Sequence, residues 1–147
     1  MNIYRAGIDI GSTTAKVVVI DDCQVVYEKY SRHFSQVRQK TIEMVQEIEP
    51  ILRGRTFRVS ISGSAGLGLA NAANIPFVQE VYATGEVIRV LEPDTSAVIE
   101  LGGEDAKVLF FLDSLRMRAE TECGMLAAST TARRLSMARM LLSMSLV

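Results

Sequence analysis

The chain has 147 residues, enough for one domain with a core of its own, and its 48% hydrophobic and 22% charged residues are ordinary for a globular protein. A net charge of −1, few aromatics and no tryptophan argue against a nucleic-acid surface, which needs surplus cations or stacking rings. No apolar run approaches the ~18 residues that span a bilayer, and the N-terminal Met1–Gly7 lacks the apolar core of a signal peptide. The expectation is a cytoplasmic chain without membrane or nucleic-acid partners.

In chain order, Tyr4–Ile10 reads as a strand ending at Gly11, and Ala15–Ile20 as a strand buried on both faces. After a turn at Asp21-Asp22, Gln24–Arg32 reads as a third strand, giving an antiparallel meander. Ser35 is the expected N-cap of a helix whose apolar stripe is Val37, Thr41, Met44, Val45, Ile48 and Leu52, with Gly54 ending that region. Phe57–Ser62 is a short strand running into Gly63-Ser64-Ala65-Gly66. Leu67–Ala73 follows as a helix, Ile75–Val78 as a brief strand, and Val81–Leu91 as a helix closed by Pro93. Ala97–Leu101 reads as a buried strand, and Val108–Leu112 with Leu115–Ala119 as a hairpin. The order β-β-β-α-β-α-β-β excludes a Rossmann pattern, which alternates strand and helix from the start. It predicts an α/β domain with a mixed sheet, three antiparallel strands then parallel ones, flanked by helices. Residues 124–147 differ in character: three arginines, no acid and four of the seven methionines, predicting a basic helical tail behind a domain at 1–123.

Two segments carry chemistry. Gly7-Ile8-Asp9-Ile10-Gly11-Ser12-Thr13-Thr14-Ala15-Lys16 lies between two predicted strands. A turn of Gly, Ser and Thr exposes backbone N–H groups that can cradle phosphate oxygens, and the hydroxyls of Ser12, Thr13 and Thr14 add donors. Asp9, at the strand end, suits a hydrated Mg²⁺, which prefers a carboxylate plus water and phosphate. An ordinary hairpin turn beside an aspartate is the alternative. Glu100-Leu101-Gly102-Gly103-Glu104-Asp105-Ala106-Lys107 repeats the design of strand, acid, glycine turn and strand. Two such turns could hold a triphosphate and its metal from opposite sides. There is no GxxxxGK[ST] loop. His33, Cys23, Glu80 and Glu86 read as surface, half-buried or helix-terminal residues, and the tail methionines as an apolar face.

Over residues 3 to about 123, the pair of motifs resembles the activators of 2-hydroxyacyl-CoA dehydratases and the related ATP-hydrolysing subunits of benzoyl-CoA reductase. These belong with actin, sugar kinases and heat-shock chaperones, so the resemblance implies an RNase H-like, actin-like ATPase domain. It also implies ATP and Mg²⁺ as cofactors, a homodimer with a four-iron, four-sulfur cluster between subunits, and ATP-driven electron transfer to a 2-hydroxyacyl-CoA dehydratase or related reductase. Carried over, Asp9, Glu100 and Glu104 are the candidate catalytic residues, with Asp9 also the Mg²⁺ ligand. Gly11, Ser12, Thr13, Thr14, Lys16, Gly102, Gly103 and Asp105 are the candidate nucleotide-binding residues. The second motif usually reads Asp-Ile-Gly-Gly-Gln-Asp, so Glu100 and Glu104 are departures; an added carboxylate near a γ-phosphate repels it unless Mg²⁺ or a proton offsets the charge. Cys123 falls at the position of the family's first cluster cysteine, with a free thiol as the alternative, because two thiolates per dimer are half of what a four-iron cluster takes. The family's second domain has no counterpart within these residues, so the expectation is a truncated activase-like ATPase domain. The rival is a non-catalytic interaction module that self-associates through its exposed cleft face.

Overall fold

The computed structural model describes residues 3–22, 24–101 and 106–111. Strands β1 (Tyr4–Ile10), β2 (Thr14–Asp21) and β3 (Gln24–Arg32) form the expected antiparallel meander. Strand β4 (Phe57–Ser62) joins the other edge of β1 in parallel, so the sheet runs β3-β2-β1-β4. A parallel neighbour needs a crossover, and helix α1 (Val37–Leu52) supplies it.

Register assigns the residues of this sheet to two faces. Tyr4, Ala6, Ile8 and Ile10 share one face with Ala15, Val17, Val19 and Ile61, and this face packs against Met44, Ile48 and Leu52 of α1 and Ala70 of α2 (Leu67–Ala73). The alternate residues of β1 and β4, Gly7, Asp9, Ser60 and Ser62, fall on the opposite face. Asp9, Ser60 and Ser62 are nevertheless buried. Thr41 sits within the α1 stripe because its Oγ1 donates back to the Val37 carbonyl at 2.8 Å.

Several local expectations are corrected. Ser35 does not cap α1: it has φ 64, and Gln36, which makes no side-chain capping bond, stands at the N-cap. Ile75–Val78 is not a strand but a single parallel bridge between Ile61 and Phe77. Ile61 N–H bonds the Pro76 carbonyl and Val78 N–H bonds the Ile61 carbonyl, and a ladder continuing through Pro76 would lack that residue's donor. Helix α3 spans Glu80–Leu91, one residue longer than expected. Within it Glu86 is buried beside Arg89 and not solvated.

Strand β5 (Ala97–Leu101) pairs antiparallel with β6 (Ala106–Phe110) in a separate two-stranded sheet. It is therefore not the buried strand its composition suggests, and Leu101 is 79% exposed. The strand expected over 115–119, the boundary at 123 and the 124–147 tail lie outside the described residues. No helix among the described residues is long and apolar enough to cross a membrane.

Candidate phosphate-binding site

The β1–β2 hairpin turns through Gly11-Ser12-Thr13-Thr14, between the paired residues Ile10 and Ala15. Its base is Asp9, paired with Lys16 across the strands; Lys16 Nζ donates to Asp9 Oδ2 at 2.8 Å. Asp9 is 2% exposed, and a carboxylate that deep needs a partner charge. One polar row therefore crosses all four strands in register: Tyr30, Lys16, Asp9 and Ser62. At one end of that row, Lys16 Nζ lies 6.0 Å from the centre of the Tyr30 ring.

Ser62 is a member that the sequence did not reveal. Its hydroxyl is buried and has no hydrogen-bond partner among the described residues, and it stands on the same face as Asp9 one strand away. Parallel register between distant segments has no signature in the chain, so only the assembled sheet could show it.

The turn itself is closed by one backbone bond where a hydrogen-bonded antiparallel pair would exchange two. Gly11 N–H donates to the Thr14 carbonyl at 2.9 Å, but the reciprocal bond from Thr14 N–H to Gly11 is not formed among the described residues. His33 takes that carbonyl: its Nε2 donates to Gly11 O at 3.0 Å. The amides of Ser12 and Thr13, at the tip, make no backbone bond among the described residues. A pair of adjacent amides with nearby hydroxyls is the donor set of a phosphate nest.

Glycine is required by the chain at some of these positions and not at others. Gly63 has φ +94, and a Cβ there would sit 2.2 Å from the Ile10 carbonyl oxygen. A Cβ on Gly66 would meet the Ser62 carbonyl at 2.5 Å. The β4–α2 turn is thus pressed against the end of β1, where Ala65 N–H donates to Ile10 O at 2.9 Å. At Gly11, by contrast, a Cβ would make only ordinary contact, 3.6 Å from Thr14 O, and its φ is not left-handed. Nothing among the described residues demands glycine at 11.

The second acidic turn has the same construction: Glu100 pairs with Lys107 and Leu101 with Ala106, as Asp9 pairs with Lys16 and Ile10 with Ala15. Its side chains are used differently. Glu100 accepts from Thr84 Oγ1 of α3 at 3.2 Å, and Lys107 Nζ donates to Glu80. Gly102, Gly103, Glu104 and Asp105 lie outside the described residues, as does Cys123. Among the described residues no group of three or more His, Cys, Asp or Glu gathers to hold a metal by itself. A lone carboxylate suits Mg²⁺ only where water and phosphate complete the shell.

No family model matches the chain. An uncharacterized protein of Methanocaldococcus jannaschii is 30% identical over 105 residues, covering 70% of this chain and 41% of that protein. Among solved structures, the activator of 2-hydroxyisocaproyl-CoA dehydratase from Clostridium difficile, with bound ADPNP, superposes with TM-score 0.59. That match is 24% identical and covers 76% of this chain and 42% of the activator. Component A of (R)-2-hydroxyglutaryl-CoA dehydratase from Acidaminococcus fermentans gives TM-score 0.61 at 21% identity, with 76% and 44% covered. This chain has the actin-like ATPase fold. It spans less than half the length of each of these relatives.

Proposed function

We propose that residues 3–111 form the phosphate- and Mg²⁺-binding half of an ATPase of the dehydratase-activator type. In this reading the Ser12 and Thr13 amides and the hydroxyls of Ser12, Thr13 and Thr14 bind phosphate oxygens. Asp9 would hold Mg²⁺ through its water shell, and Mg²⁺ would supply charge neutralisation between phosphates. Lys16 pairs with Asp9 and would share its charge with a phosphate bound beside that carboxylate. Ser62 would donate to Asp9 or to a ligand held beside it. Glu100, Gly102, Gly103, Glu104 and Asp105 would contact the same ligand, as the resemblance implies.

The observation that carries the proposal is the combination at the hairpin tip: a glycine at a position with room for a Cβ, beside two backbone amides that make no backbone bond among the described residues. Free tip amides are common to hairpin turns; a tip glycine that neither a left-handed φ nor a described close contact requires is not. Transfer of an electron to a 2-hydroxyacyl-CoA dehydratase, a homodimeric state and a cluster at Cys123 follow from the resemblance alone and belong to this proposal as its outer parts.

Titration calorimetry of the full chain with ATP and Mg²⁺ is the test, with Asp9→Ala as the control. Binding that requires both Mg²⁺ and Asp9 supports the reading, whereas no heat at millimolar nucleotide removes it. The second reading, an interaction module, draws on the apolar face formed by Ile99, Leu101, Val108 and Phe110 on β5–β6, each more than half exposed. Concentration-dependent sedimentation that Leu101→Ser abolishes would favour it.

A further inference from the structure

The segment joining β3 to α1 is built around His33. The β2–β3 register pairs Thr14 with Arg32, so the next residue falls opposite Thr13, and His33 N–H donates to the Thr13 carbonyl at 3.3 Å. His33 is 3% exposed. Its Nδ1 accepts the Ser35 amide at 3.2 Å, and its Nε2 faces the Gly11 carbonyl at 3.0 Å. A carbonyl can only accept and an amide N–H can only donate, so both contacts hold together only in the neutral tautomer with its proton on Nε2. Phe34 and Ser35 follow with φ 47 and 64, two consecutive left-handed non-glycine residues, and Gln36 N–H closes the turn on the His33 carbonyl at 2.7 Å. Strain of this kind persists only where surrounding bonds enforce it, and here those bonds converge on His33, one on its ring and one on its carbonyl.

We propose that His33 is a positioning residue for the phosphate hairpin. A trans peptide points its C=O and the following N–H in opposite directions. Holding the Gly11 carbonyl toward His33 therefore turns the Ser12 amide away from His33 and keeps the Gly11 carbonyl from closing onto Thr14. The His33 N–H does the same for the Thr13–Thr14 peptide through the Thr13 carbonyl. The ring thus keeps the tip open and orients the Ser12 amide, while the Ser35 amide on Nδ1 fixes the tautomer that can do so. The inference rests on the reading of Gly11–Thr14 as a phosphate hairpin.

Two amide side chains separate this role from a structural one. In His33→Gln the amide nitrogen reaches the position of Nε2 and can still donate to Gly11 O. In His33→Asn the amide oxygen takes the place of Nδ1, keeping the Ser35 contact and losing the one to Gly11. Three readouts apply to the full-length chain: imidazole ¹⁵N shifts of the wild type, amide hydrogen exchange at Ser12–Thr14 without nucleotide, and Mg-ATP affinity. The expected results are a protonated Nε2 with bare Nδ1, faster exchange at the tip in His33→Asn but not His33→Gln, and Mg-ATP binding weakened roughly three- to tenfold only in His33→Asn. A proton on Nδ1 overturns the proposal, as does equal behaviour of the two variants at the tip. If the wild type binds no Mg-ATP, the phosphate reading fails, and the exchange comparison still decides whether His33 sets the hairpin.

Discussion

Replacing Gly63 with alanine tests the packing of the β4–α2 turn onto the site. The new Cβ would stand 2.2 Å from Ile10 O, 2.4 Å from its carbonyl carbon and 2.5 Å from its nitrogen. All three are backbone atoms of β1, one residue from Asp9, and cannot swing aside as a side chain would. The left-handed φ adds about 1–2 kcal/mol for any residue with a Cβ, and overpacking of a closed contact adds about 1–3 kcal/mol. The sum, about 2–5 kcal/mol, is a large part of a typical total stability of about 5–15 kcal/mol. It corresponds to a fall in Tm on the order of 10 °C for a domain of this size. Gly68→Ala is the internal control: it lies in α2 with nothing within 4 Å of its Cβ, and removing a helical glycine stabilises by about 0.5–1 kcal/mol. Urea denaturation monitored by far-UV circular dichroism measures both. A Gly63→Ala variant within 0.5 kcal/mol of the wild type would refute the close approach of this turn to β1.

The remaining predictions address the polar row and the titratable surface. Gly11→Ala leaves the denaturation midpoint nearly unchanged, because its Cβ fits, and weakens Mg-ATP in calorimetry by about tenfold or more through its intrusion on the ligand. Ser62→Ala removes a buried hydroxyl without a described partner, so stability holds or rises slightly while Mg-ATP affinity falls a fewfold. Lys16→Met removes a charge partner of the buried Asp9 carboxylate and costs about 3 kcal/mol in urea denaturation; adding Asp9→Asn to the same chain recovers part of the loss. Burial, with the neighbouring Glu47 carboxylate as hydrogen-bond acceptor and negative charge, raises the Tyr27 phenol to about 12. The folded state then holds this proton more tightly than the unfolded chain. The resulting stability is full below about pH 10 and is lost as pH rises toward about 12. Ultraviolet titration should find one of the four tyrosines ionising late, and Glu47→Gln should bring it part of the way down, since burial remains.

The chain by itself determined the local elements and the acid-glycine turn between β1 and β2. Tyr4–Ile10, Gln24–Arg32, Phe57–Ser62 and the helix over Leu67–Ala73 all lie where periodicity and turn residues put them, because these signals act over a few neighbouring positions. Asp9, Gly11 and Lys16 were likewise legible, since one hairpin brings them together within a short stretch. What the sequence could not decide was anything set by register between distant segments. Ile75–Val78 has strand composition yet meets only one residue of β4, and Ala97–Leu101 is as apolar as a core strand yet lies in a small sheet of its own. Ser35 has the chemistry of an N-cap, but the bonds made by His33 hold it in a left-handed turn one residue too early. Ser62 and His33 entered the site for the same reason. A serine on one strand and a histidine after another become neighbours of Asp9 and Gly11 only when β4 and β3 dock in register. That alignment is fixed by which face of each strand the apolar core must cover.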